Sequence, residues 1–260
     1  WRVQNDSEGM INMEIVDREN VEENLMEKPV EEYQAGCLLC GKPLVYEEKS
    51  RSRVCAICGR TFESAAACED GHFICDSCHS AGLTGALAFL RESQEKDPVE
   101  LFLNVAKLSG IHMHGPEHHS LVPCVLLTAY HNQGGKIDLD TAIPEAVRRG
   151  RQVPGGFCGF WGVCGAAVGC GIYASILLES GPLQAESWAK AQKLTARCLE
   201  RIAAVGGPRC CKRDSRLAME EAVEFTAETF GVQMEAGKNP CQFSEQNQEC
   251  LKERCPYYKR

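Results

Sequence analysis

Between residues 37 and 79, cysteine and histidine recur at spacings that suit a metal ion. The pairs are Cys37-x2-Cys40, Cys55-x2-Cys58, Cys68-x3-His72 and Cys75-x2-Cys78. They offer eight ligands, the number that two tetrahedral zinc ions require. Gly41 and Gly59 each follow the second cysteine of a pair. Glycine there lets the knuckle turn back and aim amide N–H groups at thiolate sulfur. Two pairings are open. In the sequential one, Cys37, Cys40, Cys55 and Cys58 share an ion, as in a zinc ribbon. In the interleaved one, Cys37, Cys40, Cys68 and His72 hold one ion and Cys55, Cys58, Cys75 and Cys78 the other. Four ligands crowded between Cys68 and Cys78 make a tight loop, which favours the interleaved form. His79 is an alternative to His72. Closed structural sites leave no position for chemistry, so this module reads as scaffold or docking surface.

A second set of reactive residues lies further along. His112, His114, His118 and His119 sit in eight residues around Gly115-Pro116-Glu117. Pro116 suits the first position of a helix, and His118 shares an apolar stripe with Leu121, Val122, Val125 and Ala129. The cluster suits a metal, an anion or proton transfer; histidines that merely satisfy backbone groups are the plainer reading. Residues 155–171 hold seven glycines with Cys158, Cys164 and Cys170. Close backbone approach is the use of such density, since each glycine weakens a helix by about 1 kcal/mol relative to alanine. Cys210 and Cys211 precede a helix whose dipole is expected to lower their pKa values. The tail carries Cys241-x8-Cys250-x4-Cys255-Pro256. With Cys211 or Cys210 as the fourth thiolate, these residues suit a [4Fe–4S] cluster. A third zinc is the alternative, and unpaired buried thiols the bland one. The tail has little apolar content, and ordering it costs about 1–2 kcal/mol per residue in backbone entropy, so a bound metal is expected to hold it. Cys211, Cys241, Cys250 and Cys255 are the expected cluster ligands, and His118, His119, Cys164 and Cys210 the candidate catalytic groups.

The elements that must place these residues are mostly helical. Apolar residues recur at helical spacing over 80–109, 116–132, 138–149, 182–205 and 215–230, and a buried helix is expected over Ala166–Leu178. Residues 1–36 are acidic, with a short helix expected from Asn20 to Pro29. Arg148, Arg149 and Arg151 suit an anion or a solvated turn. The expected architecture is mainly α: an acidic segment (1–36), a two-zinc treble-clef or ribbon-like module (37–80), and a helical cysteine- and histidine-rich domain with a cysteine-rich tail (81–260).

Composition narrows the function. The formal net charge of −8 and the lack of a basic stripe argue against general nucleic-acid binding. The uncharged run from Val153 to Leu178 is long enough for a membrane span, but its glycine-rich first half makes a poor helix, so no span is expected. Seventeen cysteines at knuckle spacing and no export signal point to metal rather than disulfides, and to a reducing cytoplasmic setting. A chain that opens on Trp1 is expected to be a fragment lacking upstream residues.

The motifs His114-Gly-Pro-Glu-His-His119, Gly156-Phe-Cys-Gly159, Cys164-Gly-Ala-Ala167, Gly207-Pro-Arg-Cys-Cys-Lys-Arg-Asp214 and Cys250 through Cys255-Pro256 resemble an uncharacterised cysteine-rich domain family of anaerobic bacteria and archaea. Its members stand alone or are fused to a methyltransferase-like domain. The segment from Cys164 to Leu178, with Arg209-Cys210, also resembles redox-active proteins with a cysteine-glycine-cysteine-alanine signature, although Phe160-Trp161 departs from it. The first resemblance implies no established function; a methyltransferase-type partner would suit it. The second implies redox or iron–sulfur chemistry and a protein redox partner. The leading expectation is an iron–sulfur oxidoreductase or sulfur-handling enzyme of anaerobic metabolism with a structural zinc module. The alternatives are a non-catalytic zinc and iron–sulfur adaptor, and an iron–sulfur lyase or desulfidase with an open cluster iron.

Overall fold

The computed structural model describes residues 36–259. The acidic segment and the helix expected over Asn20–Pro29 lie outside the described residues.

An antiparallel hairpin organises the front module. Strand β1 (Leu44–Val54) pairs with β2 (Thr61–Cys68), with Leu44 opposite Cys68 and Val54 opposite Thr61. The register is broken between Tyr46 and Arg51, where β1 bulges. Each end of the hairpin carries a knuckle. The Cys37–Cys40 turn enters β1 beside the end of β2, and the Cys55–Cys58 turn joins the strands at the far end. Gly41 and Gly59 both adopt φ +69°, the left-handed conformation that the turn requires. Their N–H groups donate to the carbonyls of Cys37 (2.8 Å) and Cys55 (2.9 Å). The chain then returns past Cys55 through a bridge to Phe73 and enters the single turn α1 (Asp76–His79).

The body is helical: α2 (Leu83–Glu92), α3 (Pro98–Val105), α4 (Glu117–Asn132), α5 (Leu139–Gly150), the short α6 (Phe157–Phe160), α7 (Gly165–Leu177), α8 (Ala185–Val205) and α9 (Cys211–Phe230). Asp97 caps α3 by accepting from Val99 N at 2.8 Å and Glu100 N at 3.1 Å, the satisfaction that an N-terminus needs. Helix α4 is the axis. It is buried from Glu117 through Tyr130 and packs against α2, α3, α5, α7 and α9. Helix α8 covers α7 and α9 and contributes only Leu194 and Cys198 as fully buried residues. Trp188, in its first turn, is 49% exposed. Helix α9 begins at Cys211, earlier than the expected Ser215. Among the described residues no helix is long and apolar enough to cross a membrane.

The glycine run proves to be two things. Its first half is the loop and short helix around α6, and its second half is α7, packed on α4. A Cβ at Gly165 would lie 2.1 Å from His119 Cδ2, and one at Gly169 3.0 Å from Pro123 Cδ. The ring of His119 cannot retreat, since it is buried and bonded to Val153 O at 2.8 Å. Gly165→Ala is therefore expected to lower the thermal midpoint: the gain of about 1 kcal/mol in helix propensity is outweighed by an overpacking cost of about 1–3 kcal/mol. Gly159→Ala, where a Cβ meets nothing within 4 Å, should leave the midpoint unchanged or raised. Parallel thermal melts of the two variants check the contrast.

Candidate functional site

The hairpin brings the front ligands together in two groups, Cys37, Cys40, Cys68 and His72 at one end and Cys55, Cys58, Cys75 and Cys78 at the other. This is the interleaved arrangement, and the register explains it, because Leu44 faces Cys68 while Val54 faces Thr61. Cys40 Sγ lies 3.8 Å from Cys68 Sγ, Cys58 Sγ 3.8 Å from Cys75 Sγ, and Cys37 Sγ 3.8 Å from His72 Nδ1. Two sulfurs bound to one tetrahedral ion at about 2.3 Å stand about 3.8 Å apart. Both groups can hold a metal ion such as zinc. Cys75 N donates to Cys55 Sγ at 3.3 Å. The Arg60 guanidinium beside Cys58 lowers that thiol's pKa, while burial raises those of Cys75 and Cys78 in the same group. His79 stands outside both groups.

In the body, Cys210, Cys241, Cys250 and Cys255 line one cavity together with Lys212 and Arg216. Cys211 does not line it. Three of the four sulfurs accept N–H groups: Cys210 from Arg213 N (3.5 Å) and Asn247 Nδ2 (3.4 Å), Cys241 from Phe243 N (3.4 Å), and Cys250 from Lys252 N (3.4 Å). Unlike the front ligands, no three of these sulfurs lie within 4.8 Å of one another. The tail is closed on itself by Cys241 N, which donates to Tyr257 O at 2.6 Å, and it is held to α9 by Arg216. That guanidinium donates to the carbonyls of Gly237 (2.7 Å) and Asn239 and lies 3.9 Å over the Tyr257 ring.

The expected fall in the thiol pKa values at the start of α9 is reversed. Burial pushes Cys210 up to about 12 and Cys211 higher still. Removing a thiolate from water outweighs the helix dipole, whose contribution is typically under about 1 kcal/mol. Cys164, at the start of α7, is likewise raised to about 12 by burial.

His118 points inward, as its stripe requires. Lys212 Nζ lies 3.1 Å from His118 Nε2, and His118 Nδ1 3.1 Å from Gly115 O. The ammonium is the donor, so Nε2 accepts and Nδ1–H donates to the carbonyl. Burial, with the Lys212 charge, lowers His118 to about 4, and burial lowers Lys212 to about 8. His119 donates from Nδ1 to Val153 O and turns its other edge toward Gly165, beside Cys164. His114 belongs to the tail: its Nε2–H reaches Asn247 Oδ1 (3.1 Å) and Glu249 Oε2 (3.2 Å), and its Nδ1 accepts from Cys211 N (3.5 Å). Asn247 thus accepts from His114 through Oδ1 and donates to Cys210 through Nδ2. Asn247 and Lys212 are the residues that sequence reasoning did not single out. An asparagine in a polar tail carries no distinguishing signal, and Lys212 reads as one of a run of surface charges.

A family model for a family of unknown function (DUF5714) matches residues 87–258. The match takes in all four cysteines of the cavity and leaves the front module outside. No curated protein and no solved structure matches the chain.

Asn247→Ala removes both halves of the link between α4's entry loop and Cys210. It leaves His114 Nε2–H with Glu249 alone and is expected to destabilise the tail by about 1–3 kcal/mol. Hydrogen-exchange mass spectrometry checks this: amides of residues 241–258 should exchange faster, while those of α4 stay protected.

Proposed function

The chain belongs to the DUF5714 family of unknown function, and we propose that this member is an iron–sulfur redox protein whose front module is a structural two-zinc unit. The observation that carries the reading is the cavity shared by Cys210, Cys241, Cys250 and Cys255. Its sulfurs are set wider than the front ligands. A single ion draws its thiolates to about 4 Å from one another, whereas a cubane cluster interposes its own core and spaces them farther apart. N–H groups aimed at Cys210, Cys241 and Cys250 suit thiolates that carry charge. Lys212 adds a second argument. Its ammonium is buried and makes no ion pair with a carboxylate among the described residues, yet it lines the cavity. The Phe243 ring at 5.2 Å and the Glu117 carboxylate beyond His118 offset part of that buried charge, and four thiolates around a cluster would supply the rest.

When bound, the cluster supplies one-electron transfer. Four cysteines leave no iron open to substrate, which favours electron transfer over a lyase or desulfidase. Lys212 Nζ donates to His118 Nε2 next to the thiolates, so Lys212 is the proposed proton-holding group and His118 the acceptor that positions it. His119, fixed to Val153 O, positions α7 and Cys164. Cys210 passes from candidate catalytic thiol to proposed ligand, and Cys211, set against His114 instead, leaves the ligand set. A protein redox partner would accept or supply the electron.

The test is anaerobic purification of the full chain with iron, zinc and sulfide analysis and EPR. Expected are about four iron and four sulfide per chain with zinc at the front groups. Cys250→Ser should lose the iron and the brown chromophore and expose the tail to proteolysis while keeping the zinc; Cys211→Ser should keep iron, zinc and sulfide. Zinc in the cavity in place of iron would make this a third structural site and remove the redox reading.

A further inference from the structure

His79, Glu117 and His112 come from three separate segments. His79 ends α1, directly after Cys78; His112 lies on the loop between α3 and α4; Glu117 opens α4. They meet at one point. His79 Nδ1 is 3.0 Å from Glu117 Oε2, and His112 Nδ1 is 3.5 Å from Glu117 Oε1. The two imidazoles stand 4.5 Å apart, ring centroid to centroid, at 69°. One ligand atom from each residue lies within 4.8 Å of the other two.

Three features ask for a cation there. The Glu117 carboxylate is fully buried, and neither lysine nor arginine pairs with it among the described residues; its ion-pair partners are imidazoles. Imidazoles and the His112 amide surround it, and its nearest ammonium, Lys212, stands beyond His118, so a cation bound directly to the carboxylate would complete its neutralisation. His112 Nδ1 is buried and makes no hydrogen bond, an unsatisfied nitrogen facing the carboxylate. His118, which also approaches Glu117, has both ring nitrogens committed to Gly115 O and Lys212. The backbone is shaped to the group as well. A Cβ at residue 115 would fall 2.1 Å from Glu117 Oε2 and 2.4 Å from His79 Cε1, so only glycine leaves the space. Glu117 Oε1 is oriented by His112 N, which donates to it at 3.1 Å, the outer support that a ligating carboxylate ordinarily has.

We propose that His79, His112 and Glu117 form a mononuclear site for a divalent first-row transition ion with open coordination positions. Two imidazoles and one carboxylate are the donor set of non-haem iron(II) and of catalytic zinc. Three protein ligands do not complete a tetrahedron or an octahedron, so the remaining positions fall to water or to a ligand with an oxygen or nitrogen donor. His79 and His112 keep side-chain exposures of 18% and 22%, so the ion is reachable from solvent. This site shares no ligand with the cysteine groups, and its case stands whether or not the cavity holds iron and sulfide.

Cobalt(II) is the probe. The full chain, with its resident metals quantified, is exposed to cobalt, desalted and analysed for cobalt and zinc, and the cobalt neighbours are read by X-ray absorption. The expected result is about one retained cobalt per chain, with nitrogen and oxygen neighbours at about 2.0–2.2 Å and no sulfur near 2.3 Å, at unchanged zinc. Glu117→Gln and His112→Ala should each weaken cobalt binding by more than the roughly 10–100-fold that loss of an outer-sphere partner costs, again at unchanged zinc. Should Glu117→Gln fail to fold, His112→Ala, at a partly exposed loop position, carries the test. A wild-type chain that retains no cobalt, retains it only on sulfur, or binds it as tightly in the folded variants overturns the proposal, and leaves the cluster as a histidinium–carboxylate pair.

Discussion

A helix buried from its first residue must settle the polar groups of its own first turn, because water cannot reach them. That constraint falls on α4. Its opening residues Glu117, His118, His119 and Ser120 are all buried, and unsatisfied groups there would cost about 1–3 kcal/mol each. Each therefore recruits a neighbour. His119 donates to the loop after α5 at Val153, Ser120 reaches Val147 O on α5, His118 takes a bond from Lys212 of α9, and Glu117 faces His79 of the front module. The reactive side chains of the body and the packing of its helices are thus one problem solved once. The same bonds that neutralise the start of α4 set His118 beside Lys212, and Lys212 beside the thiols.

The front module works by a different economy. Strand β1 is largely exposed and β2 is buried only at its Ala67–Cys68 end, so the hairpin buries little apolar surface of its own, and ions in the ligand groups at its two ends would add folding energy. It meets the body through specific contacts. Asp76 accepts from Gly155 N at 2.8 Å, and Tyr46 packs edge-on to Phe160 at 5.9 Å beneath Arg209 at 5.3 Å. The glycine loop is what lets the body come this close: a Cβ at Gly155 would sit 3.0 Å from Asp76.

Much of this was legible in the residues. Ligand spacing revealed the eight front residues, and the crowding between Cys68 and Cys78 pointed to their interleaving, which the hairpin register then realises. Periodicity found the long helices and turned His118 inward. The tail thiols were recognisable as a set, but choosing between Cys210 and Cys211 was not possible, because one residue along a helix start turns the side chain to another face and only the docked tail says which face holds the cavity. The helix dipole does not lower these thiol pKa values for a related reason: burial outweighs it, and burial is a tertiary fact. His79 was visible only as a substitute for His72. Its partner Glu117 is 38 residues away, and no local pattern joins them.

One consequence concerns time rather than space. All eight front ligands lie between residues 37 and 78, so they are synthesised before any residue of α2. The body cavity joins Cys210 to residues as late as Cys255, and His114 waits for Asn247 and Glu249, more than a hundred positions downstream. At about 5–20 residues per second, the interval between Cys78 and Cys255 is on the order of ten to thirty seconds. Any ion captured by the front groups and any centre assembled at the tail are separated in synthesis by chain order alone.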